Sequence, residues 1–148
     1  MEKLSKCYAC VEVRYKQKGS NFQDSYFAKI NPCYPTNAHT EVLETMFQIE
    51  TDVLFIIVKG MNKQLHELNL PRIATPKLYA RNLEKGREVF IAENLRSQGF
   101  ITIDKRKVMD FDHTVLVLKE LGRFHSSSLL YDETLYPKSI EDTFNLKV

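Results

Sequence analysis

The stretch that decides the fold runs from Val89 to Leu130 and reads VFIAENLRSQGFITIDKRKVMDFDHTVLVLKELGRFHSSSLL. It begins with an apolar run that is typical of a buried strand. A Glu-Asn-Leu exit and a Gly-Phe turn follow that run. Asp110 then predicts the N-terminus of an amphipathic helix, which we expect to extend to about Ser128. This stretch therefore predicts a buried strand, an irregular exit and then a long helix.

Two pairs of strands are predicted upstream and within this stretch. Apolar and polar residues alternate from Cys7 to Lys16, and a second strand runs from Ser25 to Ile30. The turn at Gly19 to Asn21 predicts a hairpin with a loop longer than the tightest type. The second pair, Lys77 to Asn82 and Glu88 to Leu95, surrounds a Glu-Lys-Gly turn.

Helical spacing predicts one long helix between the two strand pairs, from Glu41 to Leu68 with Thr40 as its N-cap. Its apolar stripe is interrupted only by Glu50. The β-branched run from Val53 to Val58 leaves a buried strand open as an alternative there, and Phe100 to Ile103 is a candidate short strand. The second helix has a predicted core-facing stripe of Phe111, Val115, Leu118, Leu121 and Phe124.

Composition indicates a globular domain and excludes several classes of partner. The chain has 148 residues, 43% of them hydrophobic, with 9 Phe and 7 Tyr, which excludes disorder. A net charge of +2 with interspersed signs favours neither nucleic acid nor a membrane surface. Three cysteines are too few for a disulfide framework, and the N-terminus lacks an apolar signal core. We therefore expect a cytoplasmic protein.

Several motifs resemble the ecdysteroid kinase-like (CHK kinase-like) family, which is related to choline kinases and aminoglycoside phosphotransferases. Phe90 to Leu95 is similar to the family's hinge, with Asn94 in place of the usual Asp. Met109 to His113 resembles the run into the family's helix, and Leu121 to His125 resembles its end, with Gly122 in place of a customary alanine. The resemblance extends from about Ser5 to Leu130.

The resemblance implies an α+β fold: a protein-kinase-like N-lobe, made of an antiparallel sheet and one long helix, followed by the first helix of the C-lobe. Residues 1–95 would form the N-lobe and hinge. Residues 96–148 would form a linker, the first C-lobe helix and a truncated tail. The helix would be partly exposed without further C-lobe, and we expect it to promote self-association.

The resemblance also implies an ATP site. Lys29 matches the family's phosphate-binding lysine in a Phe-x-Lys-x-x-Pro pattern, and Glu50 matches a Phe-x-x-Glu pattern and would orient Lys29. Spacing alone would equally allow a solvated edge lysine and a glutamate that reaches water. The backbone of the hinge residues would hold the adenine: Ala92, Glu93, Asn94 and Leu95.

The implied reaction transfers the γ-phosphate of ATP, with Mg²⁺, to a hydroxyl of a small molecule such as an ecdysteroid or a choline-like acceptor. No glycine precedes Gly19, and no His-Gly-Asp or Asp-Phe-Gln motif follows His125. We therefore assign no catalytic and no metal-binding residue, and expect an inactive N-terminal fragment. A non-catalytic binding module (a truncated isoform or pseudokinase) and an incomplete gene model remain alternatives.

Overall fold

The computed structural model describes residues 8–31, 38–104 and 106–144, so Ser5 and Cys7 lie outside the described part. The elements in chain order are β1 (Tyr8–Gln17), β2 (Ser20–Ile30), α1 (Ala38–Asp52), a π-helical segment (Val53–Ile57), α2 (Val58–Glu67), β3 (Leu78–Asn82), β4 (Val89–Glu93), a 3₁₀ turn (Leu95–Gln98), α3 (Phe111–Glu133) and α4 (Ile140–Phe144).

The chain divides into two compact units. The first contains Met1–Gln48 and Pro76–Ile101, and the second contains Ile49–Thr75 and Thr102–Val148. The first unit therefore holds the strands, and the second holds the helices that follow α1. The predicted division into residues 1–95 and 96–148 stays a prediction.

The strands form one antiparallel sheet in the order β1-β2-β4-β3. β2 pairs with β1 along its whole described length up to Lys29, but with β4 only from Tyr26 to Ile30. Val11 and Val13 lie on one face of β1, and Glu12 lies on the other, as the alternation predicts. The predicted α+β fold, with an antiparallel sheet and helices, is confirmed.

The turn between β1 and β2 is the tightest kind of hairpin, so the prediction of a longer loop is wrong. Lys18 and Gly19 are its two central residues, with φ of 49° and 81°. Both values fall in the left-handed region that a type I′ turn requires. Gln17 pairs directly with Ser20, so the strands extend to the turn itself.

The part of α1 up to Gln48 packs on the sheet of the first unit. Phe47 is 5% exposed, and its ring centroid lies 5.9 Å from that of Phe90 on β4. Lys85 Nζ lies 3.2 Å from a carboxylate oxygen of Glu44. The helix begins at Ala38, so Thr40 lies inside its first turn and the prediction of Thr40 as N-cap is wrong.

The second unit has its own apolar core. The π-helical segment takes the place of the alternative strand at Val53 to Val58, because the helix continues through these residues. The Tyr131 ring of α3 lies against Gly60, where a Cβ would come within 2.4 Å of it. The core cluster consists of Ile57, Val58, Met61, Leu65 and Ile73, and the half-buried residues Val53, Phe124, Tyr131, Ile140 and Phe144 pack against it.

α3 confirms its predicted start and corrects its predicted face. The Asp110 carboxylate accepts a hydrogen bond from the backbone N–H of His113 at 2.9 Å, as an N-cap does. Of the predicted stripe, Phe124 packs against the core, but Phe111 and Leu118 are 80% and 59% exposed. The packed face contains Ser127, which is fully buried, and Tyr131, which lies against the core with Phe124.

Two further predictions about the C-terminal half are corrected. Phe100 to Ile103 forms no strand, and its apolar residues are exposed. α3 continues past the expected end to Glu133, and α4 follows in what reads as an aperiodic tail. A side chain of α3 fixes the first residue of α4, because the Asp132 carboxylate accepts a hydrogen bond from the Ile140 N–H at 2.6 Å.

Candidate functional site

Lys29 lies near the end of β2, one of the two internal strands of the sheet, in the first unit. It is half-buried and stands opposite Tyr8 on β1 and Phe90 on β4. Residues paired across antiparallel strands place their side chains on the same face. Lys29 therefore shares a sheet face with Phe90, and Phe47 of α1 packs on that ring.

The predicted hinge begins on the strand beside Lys29. Ala92 is 4% exposed and pairs with Phe27, which is two residues before Lys29 on β2. Lys29 and Ala92 are thus diagonal neighbours on one face, a relation that spans about 7–8 Å in antiparallel sheets. The Phe27 ring stacks on Tyr8 with centroids 5.7 Å apart. The fold thereby brings Lys29 and the start of Ala92 to Leu95 together.

Glu93 is hydrogen-bonded to Lys77, the residue that precedes β3. Its backbone N–H donates to the Lys77 carbonyl at 2.8 Å. Its carboxylate accepts from the Lys77 N–H at 3.1 Å and from Gln98 Nε2 at 2.6 Å. The Lys77 N–H foremost, and then the Gln98 amide, hold the pKa of Glu93 below its ordinary value. This side chain has a structural task at the exit of the strand.

Asn94 orders the turn that follows. It is 8% exposed, and its side-chain oxygen accepts from the Arg96 N–H at 3.2 Å. Its Nδ2 donates to the Ser25 hydroxyl on β2 at 2.8 Å. Its own carbonyl accepts from the Ser97 N–H at 3.1 Å and from the Ser97 hydroxyl at 2.6 Å. Asn94 thus caps the 3₁₀ turn that Leu95 begins and ties it to β2.

Glu50 lies in the last turn of α1 and is half-buried. It follows Phe47 by three residues, a spacing that places two side chains on one side of a helix. Glu50 belongs to the second unit and Lys29 to the first. Their pairing therefore stays a prediction.

Sequence reasoning missed the residues that support the hinge. Ser25 and Gln98 bond Asn94 and Glu93 through their side chains. The register offers a signal for Ser25, because extending the pairing of Tyr26 with Glu93 by one step sets Ser25 beside Asn94. Gln98 carries no such signal, since a polar residue in a turn is most often solvated.

Two other kinds of feature are absent from residues 8–31, 38–104 and 106–144. Within them, His, Cys, Asp and Glu side chains form no group of three or more that could hold a metal ion. Nor does any helix in that part have the length and apolar character needed to cross a membrane.

Comparison with known proteins identifies the family. Neither the curated proteins nor the solved structures contain a match to the chain. The model of the ecdysteroid kinase-like family matches residues 4–145, which is nearly the whole sequence. The hinge-like exit from β4 and the capped start of α3 lie inside the matched range. The chain therefore belongs to the ecdysteroid kinase-like family.

Proposed function

We propose that this chain binds ATP as the nucleotide-binding part of a small-molecule kinase. Family membership supports a kinase-like function in general. The observation that carries the specific proposal is the pairing of β2 with β4, which sets Lys29 diagonally beside Ala92. A cation and a strand exit next to each other suit a ligand that has phosphates at one end and a flat base at the other.

Each predicted residue has a defined role in this proposal. Lys29 binds the ATP phosphates by charge-assisted hydrogen bonds, which are stronger than neutral ones. The backbone of Ala92 to Leu95 binds the adenine edge. The bonds of Asn94 to Ser25 and Arg96 hold that backbone in one conformation before the ligand arrives. Glu50 orients the Lys29 ammonium by pairing with it.

Mg²⁺ is proposed as the metal of the family reaction, and we assign no ligand to it because no Asp-Phe-Gln motif follows His125. No step of the proposal depends on the metal. The acceptor proposed for the family reaction is a hydroxyl of an ecdysteroid or choline-like molecule, and a cytoplasmic location is proposed with it.

Titration with a fluorescent ATP analogue tests the binding proposal. Lys29→Ala should raise the Kd by about 10- to 100-fold, the loss expected for one charge-assisted hydrogen bond. Lys16→Ala is the matched control, since Lys16 is an exposed lysine on the same face of the same hairpin. Equal affinities for the wild type and both variants would overturn the site, and absence of binding by the wild type would overturn the proposal.

Turnover separates the kinase from a non-catalytic binding module. We expect no phosphate transfer to ecdysteroids or choline-like acceptors above that of Lys29→Ala, because we assign no base and no metal ligand to the chain. ATP binding without turnover supports a binding module made from the same site. Turnover that disappears in Lys29→Ala would show that the chain holds catalytic residues that we did not recognise.

A double-mutant cycle tests the pairing of Lys29 with Glu50. If the two side chains pair away from water, Lys29→Met or Glu50→Gln alone should destabilise the fold more than both together, because each single change leaves one charge without its partner. Denaturant unfolding gives the three free energies. Additive effects of the two substitutions would rule the pair out.

A further inference from the structure

The outer edge of β1 has the properties of a surface for strand addition. β1 is an edge strand of ten residues, and no strand in the described part of the chain pairs with its outer side. The backbone donors and acceptors of such an edge favour the addition of another extended strand.

The hairpin turn determines which backbone groups point outward. Gln17 and Ser20 flank the two-residue turn, so each donates a backbone hydrogen bond to the other, and the pattern alternates along the strand. The odd-numbered residues of β1 therefore use their N–H and C=O groups on β2. The corresponding groups of Cys10, Glu12, Arg14 and Lys16 point to the open edge.

The side chains of the same strand separate into an apolar and a charged face. Val11, Val13 and Tyr15 share the apolar face and are 40%, 42% and 39% exposed. Glu12 and Arg14 lie on the opposite face, with a long contact of 3.8 Å between them and side chains that are 56% and 78% exposed. Their charges are therefore available to a neighbouring strand.

We propose that two copies of this chain associate by antiparallel pairing of β1 with β1, around a two-fold axis at Val13. In this register Glu12 of each copy stands opposite Arg14 of the other, and Val11 stands opposite Tyr15. The charged pair occurs twice in each dimer. The apolar face continues across the axis, so that one sheet extends through both copies.

Charge and hydrogen bonding select this register over its neighbours. A shift by one residue would align outward groups with inward ones, so only shifts by two are allowed. An axis at Glu12 would set the two Glu12 carboxylates opposite each other, and an axis at Arg14 would do the same with two guanidinium groups. Like charges directly opposite are destabilising. The proposal is independent of ATP binding.

Sedimentation equilibrium with a charge-swap series tests the inference. Wild type should dimerise, and Glu12→Arg or Arg14→Glu should each raise the dissociation constant by about tenfold or more, since both pairs become repulsive. The double variant Glu12→Arg with Arg14→Glu should restore dimerisation. Circular dichroism checks that the single variants keep their fold, as expected for exposed side chains.

Crosslinking tests the register directly in a background with Cys7, Cys10 and Cys33 changed to Ser. Val13→Cys should give a disulfide-linked dimer, because non-hydrogen-bonded partners on the axis have close Cβ atoms. Val11→Cys is the matched control and should not crosslink, since its two copies lie on opposite sides of the axis.

Several outcomes would overturn the inference. A monomeric wild type at every concentration would do so, as would a dimer that is indifferent to the single swaps. Equal crosslinking through positions 11 and 13 would contradict the axis. If Leu118→Glu on α3 dissociates the dimer while Arg14→Glu does not, the association uses the helix surface instead.

Discussion

At the scale of single residues, Asn94 shows why a buried amide can replace an acid. Its amide joins Ser25 to the Arg96 N–H while only 8% exposed. Asn94→Asp should change the free energy of unfolding little at neutral pH, because a carboxylate also accepts from Arg96 and the Ser25 hydroxyl can turn to donate. Asn94→Leu should cost about 1–3 kcal/mol, since both partners lose their bond. Urea unfolding measures the free energy of unfolding of both variants, and an equal decrease for Asn94→Asp and Asn94→Leu would contradict the prediction.

Two helical glycines make a matched pair at the same scale. A Cβ on Gly60 would lie 2.4 Å from the Tyr131 ring, whereas one on Gly122 would meet nothing within 4 Å. Gly60→Ala should lower the free energy of unfolding by about 1–3 kcal/mol, because the packed ring must move. Gly122→Ala should raise it by up to about 1 kcal/mol through helix propensity. Thermal unfolding of both variants measures these changes in stability. A Gly60→Ala variant more stable than the wild type would contradict the close contact of Gly60 with the Tyr131 ring.

At the scale of elements, the N-terminus of α3 should make stability depend on pH. The backbone N–H of His113, and then its side chain, hold the pKa of Asp110 below its ordinary value. The stabilisation is therefore complete above the ordinary pKa of about 3.9 and is lost as the pH falls through the lowered value. Asp110→Asn keeps a capping oxygen without the charge. The wild type should be the more stable at neutral pH, and the difference should vanish in acid; a difference that persists there would refute the charge effect.

The buried faces of strands and helices could be predicted where large side chains repeat at regular spacing. They could be predicted less well where small residues take part in the packing. The alternation of Val11 and Val13 predicts the faces of β1 correctly, and Asp110 marks the start of α3. The face of α3 is different, because Tyr131 lies against Gly60 of α2 and Ser127 is fully buried. Small residues contribute nothing to an apolar periodicity, so the stripe of larger residues includes Phe124 of the packed face but also the exposed Phe111 and Leu118.

At the scale of the whole molecule, α3 carries part of the exposed apolar surface. Leu118 and Leu129 are 59% and 69% exposed. Patches of this kind bind apolar dyes and promote association. The chain should therefore enhance the fluorescence of such a dye, and Leu118→Lys with Leu129→Lys should reduce the signal while leaving the free energy of unfolding within about 0.5 kcal/mol. Lys63→Ala, an exposed change on α2, is the control. A folded wild type without dye binding would contradict the prediction.

The candidate site was predictable in part at this scale. Local motifs predict Lys29 and Ala92 separately, and the register of β2 with β4 sets them on adjacent strands. The Lys18-Gly19 turn sets only the register of β1 with β2, and it does not follow from composition, since lysine rarely adopts positive φ. The register of β2 with β4 joins segments that are distant in sequence, so no local turn indicates it. The role of Ser25 depends on the pairing of β2 with β4, because its hydrogen-bond partner Asn94 is far away in sequence.

The π-helical segment Val53–Ile57 has a consequence for changes in chain length. Its i→i+5 turn holds one residue more than the i→i+4 turn of an α-helix. Removing Ile56 would let the segment form an ordinary α-helix. Thr51 before it and Met61 after it would then stay on the same side of the helix as they do now. Removing one residue within α2 would instead rotate everything beyond it by about 100° and turn Leu65 away from the core. The helix therefore has one place where its length can change by a residue without a change of face.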